Sequence, residues 1–98
     1  MSSESTLPAD RLVLPAKLIM GTATVELQRL ASHLGRLQDP RVTLDAGALE
    51  VFDSSAIAVL LELRRELLRQ NRQLQVLRLP ARLRDLMSLY GVGELLPA

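Results

Sequence analysis

The chain contains no cysteine, which excludes disulfides and thiolate metal sites. Its single histidine, His33, cannot build a metal site alone, and no second ligand or acid partner stands beside it. Only two aromatic side chains, Phe52 and Tyr90, occur in 98 residues, so base stacking has almost nothing to use. No apolar run approaches the ~20 residues that a bilayer-spanning helix needs. The N-terminus lacks a basic region followed by an apolar run, so no signal peptide is expected and the cytoplasm is the default location. A net charge of only +1 supplies no global field aimed at nucleic acid or an anionic membrane.

What is present fits one ordinary globular domain with a single core: 48% of the residues are apolar and 23% are charged. Residues 1–9, with Ser, Glu and Pro8, read as a flexible leader, and the domain is expected over 10–98. Leu12-Val13-Leu14 is a short apolar run stopped by Pro15, which suits an edge strand or a strand end. Leu18 to Met20 can add a few extended residues.

From Thr22 the period changes. Ala23, Leu27, Leu30, Ala31, Leu34 and Leu37 recur at helical spacing, with Thr22 or Thr24 as cap and Gln38-Asp39-Pro40 as the stop. His33 lies at the edge of that stripe. Arg41 to Asp45 alternates as a strand, and a second helix is expected over 54–70. Its apolar arc (Ala56, Ile57, Val59, Leu60, Leu61, Leu63, Leu67, Leu68) is wider than a one-sided surface helix requires, so a neighbouring helix or another protein should cover part of it. Asn71 is a left-handed stop, Leu74 to Leu79 a third strand, and Pro80 opens a third helix. The apolar face of that helix is Leu83, Leu86, Met87 and Tyr90, and Gly91 closes it. Alternating strands and helices predict a small α/β domain with helices on one layer of sheet.

The chemistry-bearing stretch is Asp53-Ser54-Ser55, at the start of the second helix. Asp53 or Ser54 can cap that helix, which places two hydroxyls at its positive end beside the small Ala56 and Ala58. A nucleophile reading lacks a Gly-x-Ser-x-Gly elbow and a nearby base, and no glycine-rich Lys-Ser/Thr loop exists for a nucleotide. Asp45, Glu50 and Asp53 stand near strand ends, where such a cluster can hold Mg²⁺, but the acidic pair and late lysine of a receiver domain are missing. Arg65, Arg69 and Arg72 are placed on a solvated face with Glu62 and Glu66. Arg64 falls inside the apolar arc, where its stem can snorkel over the core or its head can meet a partner.

Leu44-Asp45 followed by Phe52-Asp53-Ser54-Ser55-Ala56-Ile57-Ala58-Val59-Leu60-Leu61 resembles the signature of STAS domains, the anti-sigma-factor antagonist fold. The ending Leu89-Tyr90-Gly91-Val92-Gly93-Glu94-Leu95-Leu96-Pro97 resembles the MlaB-like STAS subunit of the Mla phospholipid-transport ABC complex. The resemblance implies a small mixed sheet with helices mainly on one face, no catalysis and no cofactor or metal. It further implies contact with an ABC ATPase at Ser54, and the contact surface is expected to comprise Asp53, Ser54, Ser55, Ala56, Ile57 and Arg64. The alternative it carries is an anti-sigma-factor antagonist with Ser54 as the residue phosphorylated by an anti-sigma kinase. Neither version binds nucleic acid or inserts into the membrane, although the transporter subunit would sit beside the inner membrane. Two positions depart from the family pattern: Ala56 replaces a usual glycine, and Ala16-Lys17-Leu18 replaces Gly-Glu-Leu. The methyl of Ala56 is expected to thicken the docking surface.

Overall fold

A computed structural model describes residues 11–37 and 39–95 of the chain. The expected leader over 1–9, Asp10 at the expected start of the domain, Gln38 and the last three residues lie outside that description. The strands are β1 (Arg11–Val13), β2 (Lys17–Leu18), β3 (Arg41–Asp45), β4 (Val51–Phe52) and β5 (Gln73–Leu77). The helices are α1 (Met20–Leu34), α2 (Ser54–Arg69) and α3 (Ala81–Leu89), and a 3₁₀ turn follows at Gly93–Leu95. Strands alternate with helices as the sequence pattern predicts, and the α/β class is confirmed. The described pairings are all parallel, in a three-stranded sheet ordered β1-β3-β5 and a two-stranded pair, β2-β4. An antiparallel member of a mixed sheet is therefore not among the described residues.

Register explains why one face of the sheet is covered. Leu12, Leu44 and Val76 stand side by side across β1, β3 and β5, and all three are buried. The residues between them in sequence (Arg11, Thr43 and Gln75) form a row on the opposite face, where β3 and β5 also carry Arg41 and Gln73. This period of two is what a sheet covered on one side requires. Against the apolar face, α1 contributes Leu30 and Leu34, α3 contributes Leu83 and Met87, and α2 contributes six buried side chains. α2 is the most deeply seated helix because it packs on β5 and on both other helices. That accounts for most of its wide apolar arc, although Leu68 remains 49% exposed.

The breaks between strands position the two helix starts. Leu14 N–H donates to the Asp45 carbonyl at 3.0 Å, then Pro15 ends the ladder. Glu50 and Val51 N–H donate to the Ala16 carbonyl at 2.8 and 2.9 Å and begin the β2-β4 pair. Because β2 and β4 run parallel, α1 and α2, which follow them directly, start side by side at the same end of the molecule.

Several boundaries differ from the sequence expectation. α1 begins two residues before Thr22, with Ile19 at its cap position, and stops at Leu34, where Gly35 closes it. Thr22 acts from inside the first turn: its hydroxyl oxygen accepts the Ile19 N–H at 3.2 Å. β5 ends at Leu77 because Arg78 turns left-handed, with φ 57°, and sends the chain toward α3. Asn71 does take the left-handed conformation predicted for it, with φ 58°. That turn removes Arg72 from the helical face on which the spacing placed it. Arg72 is buried instead, and its guanidinium donates to the Asp39 carbonyl at 2.9 and 2.8 Å and to Gln70 Oε1 at 3.1 Å. Tyr90 is 56% exposed rather than part of the α3 core face, because α3 ends at Leu89 and Gly91, with φ 74°, reverses the chain.

Candidate functional site

The shared start of α1 and α2 is organised by Asp53. One carboxylate oxygen accepts the Ser55 N–H at 2.8 Å and so caps α2. The other accepts the N–H of Met20, the first residue of α1, at 3.1 Å. One side chain therefore closes two helices, reaching the first residue of α1 from 33 positions away in sequence. These donors, the Met20 N–H first and the Ser55 N–H second, hold the Asp53 carboxyl below the usual carboxylate range. Two helix N-termini converging on one anion act in the same direction.

Around this cap the predicted contact residues divide. Ser54 is exposed and Ser55 half-buried, and the Ser54 hydroxyl has no hydrogen-bond partner among the described residues. Ala56 is fully buried and Ile57 is 5% exposed, so both are core residues with no surface to offer a partner. The Ala56 methyl accordingly fills the interior and does not thicken an outer surface. Ala58, two residues on, is the small side chain that faces out. Arg64 lies nine residues beyond Ser55, about two and a half turns along α2 and hence about half a turn around it. It is half-buried on the side away from Ser55 and makes no hydrogen bond or ion pair with the described residues. The helical spacing therefore sets Arg64 apart from the Ser55 side of α2.

Beside Ser55 runs a groove of about 420 Å³, walled by Met20, Ala23, Thr24 and Leu27 of α1 and by Ser55, Ala58, Val59 and Glu62 of α2. Its origin is compositional. The first turns of the two helices bring Ala23, Thr24, Ser55 and Ala58 to this space, and these small side chains leave much of it open. Farther along, Leu30 and Leu34 of α1 and Leu63 and Leu67 of α2 are buried in the core. Met20, 78% exposed at the mouth of the groove, is the largest unburied apolar side chain there. Sequence reasoning missed Met20, Thr24 and Glu62 as site residues. The available signal was the spacing of Ser55, Ala58, Val59 and Glu62, which places them on one side of a helix.

Asp45 and Glu50, the other acids considered for a cation, are not part of this site. Asp45 sits at the end of β3 and is 5% exposed. Its carboxylate is held by the guanidinium of Arg78, with Arg78 Nε donating to Oδ1 at 3.1 Å, by the Gly47 N–H at 2.9 Å and by Arg11. Arg78 above all, then the Gly47 N–H and Arg11, hold it far below the usual carboxylate range. An acid so fully paired has no lone pair left for a metal. Among the described residues no three His, Cys, Asp or Glu side chains form a group able to hold one. No helix of the described chain is long and apolar enough to cross a membrane.

The groove, the exposed hydroxyl and the dual cap lie together at the shared start of α1 and α2. Comparison with curated proteins returns no match. Comparison with protein families matches residues 8–97 to the family described as Mlab, STAS domain. That match spans nearly the whole chain, including both strand–helix units and the Asp53-Ser54 cap, and the protein therefore belongs to the MlaB-type STAS domain family.

Proposed function

We propose that this STAS domain is a non-catalytic accessory subunit that binds and supports the ATPase of an Mla-type phospholipid-transport ABC complex at the cytoplasmic face of the inner membrane. The observation that carries this reading is the open surface at the start of α2. Ser54 and Ala58 are exposed there, and a groove of mixed apolar and polar lining lies alongside between α1 and α2. A partner seated on this surface would cover Met20 and line up apolar side chains with Ala23, Leu27 and Ala58, while the rim offers Ser54, Ser55 and Thr24 as hydrogen-bonding groups. Ser54→Arg sets a long cation on the rim without disturbing the Asp53 cap, and Ala58→Arg fills the groove itself. Both variants are expected to fold as the wild type and to lose co-purification with the ATPase. Recovery of the ATPase at wild-type yield with both would refute the reading.

The exposed Ser54 hydroxyl also supports the antagonist reading, in which a kinase phosphorylates it. A phosphate at that place would stand at a helix N-terminus, where its charge is favourable, and would alter the surface without unfolding the domain. Incubation with anti-sigma kinases and intact-mass measurement separates the two, since a transporter subunit gains no phosphate.

A further inference from the structure

We propose that Asp53 is a positioning residue: by tying Met20 of α1 to Ser55 of α2 through one carboxylate, it fixes the width of the groove between them. This inference rests on the docking reading above and reassigns Asp53 from a contact to the group that shapes the contact surface.

Three observations carry it. The two residues whose N–H groups Asp53 holds, Met20 and Ser55, are themselves walls of the groove, one on each side. The side chains between the helices at this end pack loosely: Ala23 and Leu27 are only half-buried and Ala58 is exposed, which leaves Val59 as the one buried wall of the groove. Each carboxylate oxygen of the cap is also already engaged by a helix N–H, one from α1 and one from α2. Elsewhere the helices are held by leucine, and here by a carboxylate with two arms.

The chemistry provides a selective cut. In Asp53→Asn one carboxylate oxygen becomes an NH₂, which cannot accept. Asn is as good an N-cap as Asp, so α2 can keep its bond to Ser55. The Met20 N–H then faces a donor, and the tie to α1 is lost while the fold, the exposed Ser54 and the groove side chains all remain.

The test measures affinity of the folded domain for the ATPase that co-purifies with wild type, well below the melting midpoint. Asp53→Asn is expected to weaken binding by about tenfold, the scale of one lost charge-assisted hydrogen bond. In the free domain, amide exchange at Met20 should quicken while exchange in β3 and β5 stays as in wild type. A purely structural cap would lower the melting midpoint and leave the affinity of the folded fraction unchanged, and that outcome overturns the proposal. Unchanged exchange at both Met20 and Ser55 overturns it as well, with no partner needed. Wild type failing to bind any ATPase would instead sink the docking reading, whereas wild-type binding with an equally tight Asp53→Asn sinks this inference alone.

Discussion

Asp45 and Asp53 stand eight residues apart, each just past or at the end of a parallel strand, and each is fully hydrogen-bonded, yet they do opposite things for the surface around them. Asp45 is satisfied by side chains. Arg78 and Arg11 fold over it, and the carboxylate disappears under them although it lies on the sheet face that no helix covers. Asp53 is satisfied by backbone. Two helix starts supply its main donors, the adjoining Ser55 side chain adds to them, no arginine bends over it, and its neighbour Ser54 is left open to solvent. A carboxylate paired with arginine closes a surface, whereas one paired with helix N–H groups organises a surface and leaves it free.

The largest effect should follow from removing the closed carboxylate. Asp45→Ala leaves the Gly47 N–H without its acceptor and two guanidiniums without their anion. Because Arg78 and Arg11 keep access to water, the cost should fall below that of a wholly buried pair, at about 2–3 kcal/mol in chemical denaturation. Asp53→Ala, whose lost donors can reach water, should lower stability by less. An Asp53→Ala more damaging than Asp45→Ala would break the comparison.

Acid should separate the two residues next. Both carboxyls titrate below their unfolded values in the folded state, so the unfolded chain binds more protons as pH falls. Their stabilisation is therefore complete above the ordinary carboxylate range and is lost on acidification below about pH 5. Asp45 is shifted the further, so Asp45→Asn should flatten the acid limb of stability against pH more than Asp53→Asn does. Equal flattening would show that the arginines contribute no more than the backbone.

How much of this was readable beforehand depends on whether the partner of each group is local. Strand β3 follows from alternation over Arg41 to Asp45, and the Asp53 cap of α2 from a side chain two residues from its donor. The left-handed turn at Asn71 follows from residue type. The start of α1 does not, because what ends it is a carboxylate 33 residues away, and no nearby residue announces it. Thr22 looked like the cap because it is the nearest hydroxyl, and it serves one step further in. The family signature points to the loop that stands at the shared start of α1 and α2. It does not say that Ala56 and Ile57 turn inward while Ala58 turns out, since that phase is set by where Asp53 starts the helix. Arg72 was misplaced for the related reason that helical spacing was carried past the Asn71 turn.

The smallest effect, and the sharpest check on the comparison, belongs to Ser54. If the role of Asp53 is to hold two helix starts while leaving the next residue free, the Ser54 hydroxyl contributes nothing to the fold. Its side chain is exposed and finds no partner among the described residues, and alanine is the better helix former. Ser54→Ala should therefore change stability by no more than about 0.5 kcal/mol, with any change tending toward stabilisation. The same variant tests the surface from the other side, because a hydroxyl idle in the free domain but engaged in a complex shows its contribution only in affinity. Thermal denaturation of the free chain and titration of the co-purified ATPase, done on one preparation, read the two separately. A loss of stability above about 1 kcal/mol, the scale of an ordinary hydrogen bond, would mean that Ser54 is itself part of the cap. The surface at the start of α2 would then be closed in the way Asp45 is, and the contrast between the two aspartates would not hold.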